Sequence, residues 1–203
     1  MQSLGVAWIS QGTSTNSTFG SATTAGNAIG ITPFYFNAGI TISSVTDAQG
    51  DYFALLATTM TASVHWDLWI STNIHGGATT VTVKTSAGAF ITFTGFEAST
   101  LQGILDGFVY KVGAVGTTPT CGTFSTTNPT DFVLTSFSSG GITPGAITAE
   151  PSGYTLIGKH ESSGTDEDGH TDYQITSSAL TNVTPTWAGS SLNLWAAGCG
   201  GLK

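Results

Sequence analysis

Residues 64–70, Val-His-Trp-Asp-Leu-Trp-Ile, constrain the fold more tightly than any other stretch. Side chains on a strand point alternately to opposite faces. Val64, Trp66, Leu68 and Ile70 then make an unbroken apolar row, and His65, Asp67 and Trp69 make the opposite one. A helix would scatter both rows around its circumference, so the period predicts a strand with one face in a core. The opposite face sets an aromatic beside two polar groups, as expected of a half-exposed sheet face.

The same period recurs along the chain. Residues 4–9 read as a first strand, 10–17 as a polar loop, and 28–36 as a strand that Pro33 places at an edge or a bulge. Residues 42–55 read as a hairpin. Ile42 and Val45 precede the turn, Tyr52, Phe53 and Leu55 follow it, and Gly50 supplies a positive φ at no steric cost. Asp47 is expected to bond the turn backbone, which gives it and Asp51 a folding role, and Tyr52 is expected to pack on a sheet face. Residues 79–84, 89–96 and 108–115 read as further strands, and 101–106 as the only plausible helical turn. Thr and the aromatics favour strands while Gly and Ser favour turns, so the composition is all-β.

Charge excludes several functions. Four lysines, no arginine and twelve carboxylates give a formal charge of −8. Such a chain cannot neutralise a run of phosphates, so nucleic acid is not an expected partner, and docking on anionic membranes is disfavoured for the same reason. No apolar run approaches membrane-spanning length, so membrane insertion is not expected. The start lacks a basic region followed by an apolar one, so no signal peptide is visible, and the expectation is a chain used without secretion. Cys121 and Cys199 are too few for a disulfide framework; two free thiols are the favoured reading and one disulfide the alternative.

The Thr/Pro-rich segment 117–129 reads as a crossover between two halves of one domain spanning 1–203, about 1–116 and 117–203. The halves echo each other. Residues 23–29 resemble 126–132, 51–55 resemble 152–156, the Trp66 strand corresponds to 172–175, and 89–97 corresponds to 191–198. A period near a hundred residues is too long for a solenoid and suits two Greek-key halves packed face to face.

The succession Thr-Thr-Ala-Gly-Asn at 23–27, Ser-Val-Thr-Asp-Ala-Gln-Gly-Asp-Tyr at 44–52, an aromatic strand, and Asn-Ile-His-Gly-Gly-Ala-Thr-Thr-Val-Thr-Val at 73–83 resembles concanavalin A-like jelly-roll domains. Such domains occur in tailed-phage structural proteins and bacterial extracellular proteins. The later Gly153-Tyr154-Thr155-Leu156 and Pro185-Thr186-Trp187 fit the same pattern. The resemblance implies a two-sheet antiparallel jelly-roll sandwich with two pseudo-repeated halves. Its motifs specify turns and strands, so they carry fold far better than activity.

No cofactor is expected. The sharpest candidate ligand set is the acidic loop, where Asp166, Asp168 and Asp172, with Glu161 before them, offer oxygens to calcium. The match lacks the ligand spacing of an EF-hand, and a solvated turn is the favoured reading. His65, His75, His160 and His170 show no zinc spacing; a composite of His160, His170 and Asp172 is outweighed by ordinary histidines. The four glutamates form no paired run of the glucanase kind, Asp67 has no same-face carboxylate partner on its strand, and no Gly-x-Ser-x-Gly elbow is present. No catalytic residue is assigned, and the chain is expected not to be an enzyme.

Aromatics are the remaining candidates. Trp69 and Trp187 are the ligand or interface residues to test. The first functional expectation is a structural protein of a tailed-phage virion, a capsid decoration or cement protein or an accessory tail component. It would act as a homo-oligomer docked on other capsid or tail proteins. The alternative is a carbohydrate-binding or adhesive module at a cell or virion surface, with a host glycan as partner.

Overall fold

The computed structural model describes residues 1–36, 39–60, 64–113, 118–140, 147–161, 167–189 and 194–203. Among them the chain forms strands and no helix. The first six strands are β1 (Gln2–Thr18), β2 (Ala28–Phe36), β3 (Ile42–Asp47), β4 (Ala54–Met60), β5 (Val64–Ser71) and β6 (Thr80–Ala98). They build one antiparallel sheet in the order β1-β6-β2-β5-β4, with β3 paired to the first part of β6. The second sheet follows from β7 (Leu105–Gly113), β8 (Phe132–Gly140), β10 (Thr155–His160), β11 (Glu167–Ile175) and β13 (Trp195–Leu202), in the order β10-β11-β8-β13-β7. A two-stranded ribbon joins β9 (Ile147–Ala149) to β12 (Ala188–Gly189).

Each main sheet thus comes from one continuous stretch of chain. β7, which precedes the Thr/Pro-rich segment, already belongs to the second sheet. Written from the strand that enters first, the orders are β1-β6-β2-β5-β4 and β7-β13-β8-β11-β10, and the two sheets have the same connectivity.

The sheets pack through Ala28, Phe34, Trp66, Leu68, Ile70 and Phe96 on one side and Phe132, Leu134, Ile157 and Leu202 on the other. Phe96 stacks on Phe132 with ring centroids 4.5 Å apart, and Trp66 on Phe108 at 5.7 Å. Gly198 permits this approach, since a Cβ there would stand 2.9 Å from the Trp66 ring. Trp66, Leu68 and Ile70 of the 64–70 strand therefore face the second sheet, as its period requires.

The polar row departs from expectation. His65 and Asp67 are buried and Trp69 is half-buried. They face a second core made by Ile29, Ile31 and Tyr35 with Ile91 and Phe93 of β6, closed by Val45 of β3 and Val81 and Val83 from the first part of β6. Register shifts in β1 between Ile9 and Gly12 and between Gly12 and Ser14 mark where the long β1–β6 ribbon bends, and bulges of this kind kink a strand. The bent part covers the outer face of its own sheet. The second sheet is covered instead by the segments around Phe124 and Val183, which pack with Val133, Phe137, Trp187 and Trp195.

Several expectations are corrected. Residues 10–17 are strand, since β1 pairs along the length of β6; Thr and Ser suit an exposed ladder as well as a loop. Residues 80–84 and 89–96 lie in the single strand β6. Pro33 lies in an interior strand, where the β2–β5 ladder passes from Ile31 to Phe34. No hairpin forms at Gly50, because β3 pairs with β6 and β4 with β5. The turn itself is as expected: Asp47 Oδ1 accepts the amides of Gln49 and Asp51, each at 3.0 Å, and Gly50 has φ +79°. Residues 101–106 are not helical; Thr100 and Gly103 take positive φ, and the Gln102 amide bonds the carbonyl of Lys203. Cys121 and Cys199 form a disulfide, Cα atoms 5.7 Å apart, joining the cover of the second sheet to β13.

Candidate functional site

The acidic set does not converge. Glu161 is engaged by His170 Nε2 at 3.1 Å and Lys159 Nζ at 3.4 Å. Asp166 lies outside the described residues, as does the side chain of Asp168. Asp172 is fully buried on the outer face of β11, where its Oδ2 accepts the indole N–H of Trp187 at 2.7 Å. Among the described residues no group of three His, Cys, Asp or Glu is placed to hold a metal ion. Trp187 is itself fully buried, so its ring belongs to the cover and is not offered to a ligand.

His170 and Asp172 share one face of β11, as His65 and Asp67 share one face of β5. The pattern His-x-Asp-x-x-Ile occurs at 65–70 and again at 170–175. The strands hold equivalent places in their sheets, and the registers agree: Tyr35 of β2 lies opposite His65, and Phe137 of β8 lies opposite His170. Tyr35 stacks on His65 at 4.7 Å and Phe137 on His170 at 5.3 Å.

The carboxylates differ in their donors. Asp67 Oδ2 accepts Tyr35 O–H and Trp69 Nε1–H, each at 3.3 Å. Burial raises its pKa, with these donors and Thr58 opposing. Asp172 has the Trp187 indole on one oxygen and no partner on the other among the described residues. Burial pushes it up to about 7, opposed by the indole bond and reinforced by the charge of Glu150. Burial also lowers His170, against the pull of Glu161, and raises the phenol of Tyr154, reinforced by the charge of Asp172. Asp67, His170 and Asp172 are buried polar groups held within the covers of the two sheets.

The open feature lies at the turn. Tyr52, expected to pack, is 83% exposed. It borders a cleft of about 470 Å³ that Trp69 also lines, together with Ser43, Ser44 and Thr46 of β3. Asp51 closes one wall. Its carboxylate accepts the backbone amide of His75 at 3.1 Å and pairs with the His75 ring. Burial alone would raise the Asp51 pKa, but these bonds hold it below the usual carboxylate range, so it stays ionised. Trp69 was legible as a candidate; Tyr52 was expected to pack on a sheet face. The signal for its exposure was the run 47–51 before it, which carries no large apolar side chain.

A second exposed region lies along the sandwich's β4–β7 side. β7 pairs with β13 on one side only and exposes Tyr110 (58%) and Val112 (39%). β4, the edge of the first sheet, carries no charge and no proline. Compared with protein-family models, known proteins and solved structures, the chain gives no match.

Proposed function

We propose that this chain is a non-enzymatic structural protein of a tailed-phage particle, a capsid decoration or cement protein or an accessory tail component, acting through self-association and docking on other capsid or tail proteins. One observation carries the reading: among the described residues two neighbouring sheet edges are lightly shielded, β4 by neither charge nor proline and β7 by one exposed lysine. An open edge presents unpaired amides and carbonyls, and proteins that stay monomeric commonly shield it with charge, proline or a covering segment. Here β4 has none of the first two, and β7 presents Tyr110 and Val112 beside a single lysine, Lys111. A net charge of −8 opposes self-association at long range, so contact has to come from apolar and backbone pairing at short range.

The concanavalin A-like jelly-roll assignment remains a proposal resting on the turn and strand motifs. The shared connectivity of the two sheets supports its element of paired halves. A disulfide between Cys121 and Cys199 suits a protein whose working life is in an oxidising medium, as on a released virion.

Sedimentation of the purified chain across a hundredfold concentration range tests self-association. An oligomer is expected, converted to monomer by Val112→Lys with an unchanged circular dichroism spectrum. A monomer throughout, and absence of the chain from particles purified from its source, would overturn the proposal.

A further inference from the structure

We infer that β7 pairs antiparallel with β7 of a second copy about a two-fold axis at Tyr110, joining the second sheets of the two copies into one. The inference rests on the self-association proposed above and gives it a geometry. Among the described residues β7 pairs only with β13, so its other side offers a ladder of backbone amides and carbonyls. Between the bulge at Gly107, where φ is +79°, and Gly113 the pairing with β13 is regular. That run reads Gly-Phe-Val-Tyr-Lys-Val-Gly, with Tyr110 at its centre. Phe108 stacks on Trp66 of the first sheet, and Tyr110 stacks on Phe108 at 6.5 Å. Phe108, Tyr110 and Val112 therefore form one row on the core-facing side of the sheet. Phe108 is half-buried, and Tyr110 and Val112 are exposed, because β4, the edge of the first sheet, packs on β13 and the row lies one strand further out.

Two-fold symmetry restricts the register. Directly opposed residues on antiparallel strands point to the same side of the sheet, so a strand pairs with its own copy only where the two residue numbers add to an even sum. A pairing centred on Lys111 would set two ammonium groups directly opposite each other, which is repulsive. A pairing centred on Val109 would set Lys111 against the Gly107 bulge and carry Val112 past the end of the regular ladder. Centred on Tyr110, the pairing uses the whole run. Phe108 meets Val112 in both directions, Tyr110 meets its own copy, and Val109 meets Lys111. Aromatic and β-branched pairs of this kind stabilise a ladder.

Charge permits this contact. Residues 107–113 hold no carboxylate, so close approach here adds no anion pair to a chain whose net charge is −8. Asp106 lies outside the run, buried, bonded by the amides of Thr127 and Asn128 and paired with Lys203. The two Lys111 side chains stand offset along the ladder and exposed, where water and salt screen them. The joined sheet has ten strands, five from each copy. β13 and its copy then lie about 14 Å apart, three strand spacings, and the core-facing rows of both β7 strands fill the trough between the two β4 edges.

Val109→Cys, Tyr110→Cys and Lys111→Cys would each be oxidised mildly in the intact chain, whose own cysteines are already joined and buried. At the self-opposed position the Cα atoms stand about 5 Å apart, within disulfide reach; an offset of two residues takes them to about 8 Å, beyond it. Tyr110→Cys should give about tenfold more covalent dimer than either neighbour alone. A mixture of Val109→Cys with Lys111→Cys, which keeps the tyrosine, should crosslink one variant to the other. Crosslinking strongest at Val109→Cys or at Lys111→Cys, or equal at all three positions, would overturn this pairing and leave self-association standing. So would its absence both from Tyr110→Cys and from the mixture while the unaltered chain sediments as an oligomer. An unaltered chain that sediments as a monomer throughout would overturn the pairing together with the self-association it rests on.

Discussion

The two sheets bury the same His-x-Asp pair under different covers, and the contrast shows what a cover must supply. In the first sheet the cover is the sheet itself, bent over so that β3 and the first part of β6 close on Tyr35, His65 and Trp69. Asp67 there receives donors from its own strand and the next, Trp69 and Tyr35. In the second sheet the cover is a pair of connections held by the Cys121–Cys199 disulfide. Phe137 occupies the place of Tyr35 and brings no hydroxyl, so Asp172 depends on Trp187, which arrives from the connection that follows β11. The carboxylate with fewer donors is the one pushed to about 7. A buried carboxylate is tolerated either by local donors or by keeping its proton.

The largest expected effect concerns that proton. A carboxyl whose pKa is higher folded than unfolded binds protons more tightly in the native state. Its stabilising contribution is complete below about pH 4, the unfolded value, and is lost as pH rises to about 7. Stability measured by urea unfolding should therefore carry a decline on the order of 4 kcal/mol across that window. Asp172→Asn should flatten this component of the profile; an identical slope in the variant would break the contrast between the two sheets. Next comes the disulfide. Replacing both cysteines by serine releases a crosslink between positions 78 apart and should cost about 3 kcal/mol. Protection of the Trp187 indole from hydrogen exchange should fall, and that of Trp69 should not. The smallest effect comes from exchanging the distinguishing residues. Tyr35→Phe removes one donor from Asp67 and should cost about 1 kcal/mol. Phe137→Tyr should give Asp172 the missing donor and move the midpoint of its pH profile downward; an unmoved midpoint would show that Trp187 alone sets it.

What the sequence reveals depends on how local the interaction is. The 64–70 strand was readable because alternation is a property of neighbours, and so was the Asp47–Gly50 turn, whose bonds reach two and four residues. The partner of β3 was not, since pairing with β6 instead of β4 is decided by the bend of the whole ribbon. Residues 10–17 were misread because Thr and Ser serve strands and loops alike, and only the opposing β6 distinguishes them. The helical turn at 101–106 failed for a reason at the other end of the chain: Gln102 and Ile104 are stitched to Lys203. At the candidate site Trp69 was visible through its strand. The burial of Trp187, lying in a connection without period, and the exposure of Tyr52 both required the tertiary structure.

The loop holding the start of β2 shows how one anchor can be written in two ways. Glu97, on β6, accepts the Thr24 amide at 2.6 Å and the Asn27 side chain at 2.7 Å. In the second sheet Asp106, on β7, accepts the amides of Thr127 and Asn128 at 2.8 Å and 2.6 Å. Burial alone would raise both acids, but their hydrogen bonds hold each below the usual carboxylate range. The acid has moved to the neighbouring strand, which hides the correspondence from a linear comparison.

That each sheet is drawn from one unbroken stretch of chain bears on how the protein is made. During synthesis the residues up to Ala98 emerge before any strand of the second sheet, and they contain every backbone partner the first sheet uses. The first sheet can therefore assemble on the ribosome, but with Phe34, Trp66 and Phe96 bare until the second arrives. The nascent half is a sticky intermediate whose natural remedy is its own C-terminal half. Divided between Ser99 and Ile104, the chain should yield two fragments that aggregate apart and recover the native spectrum when refolded together.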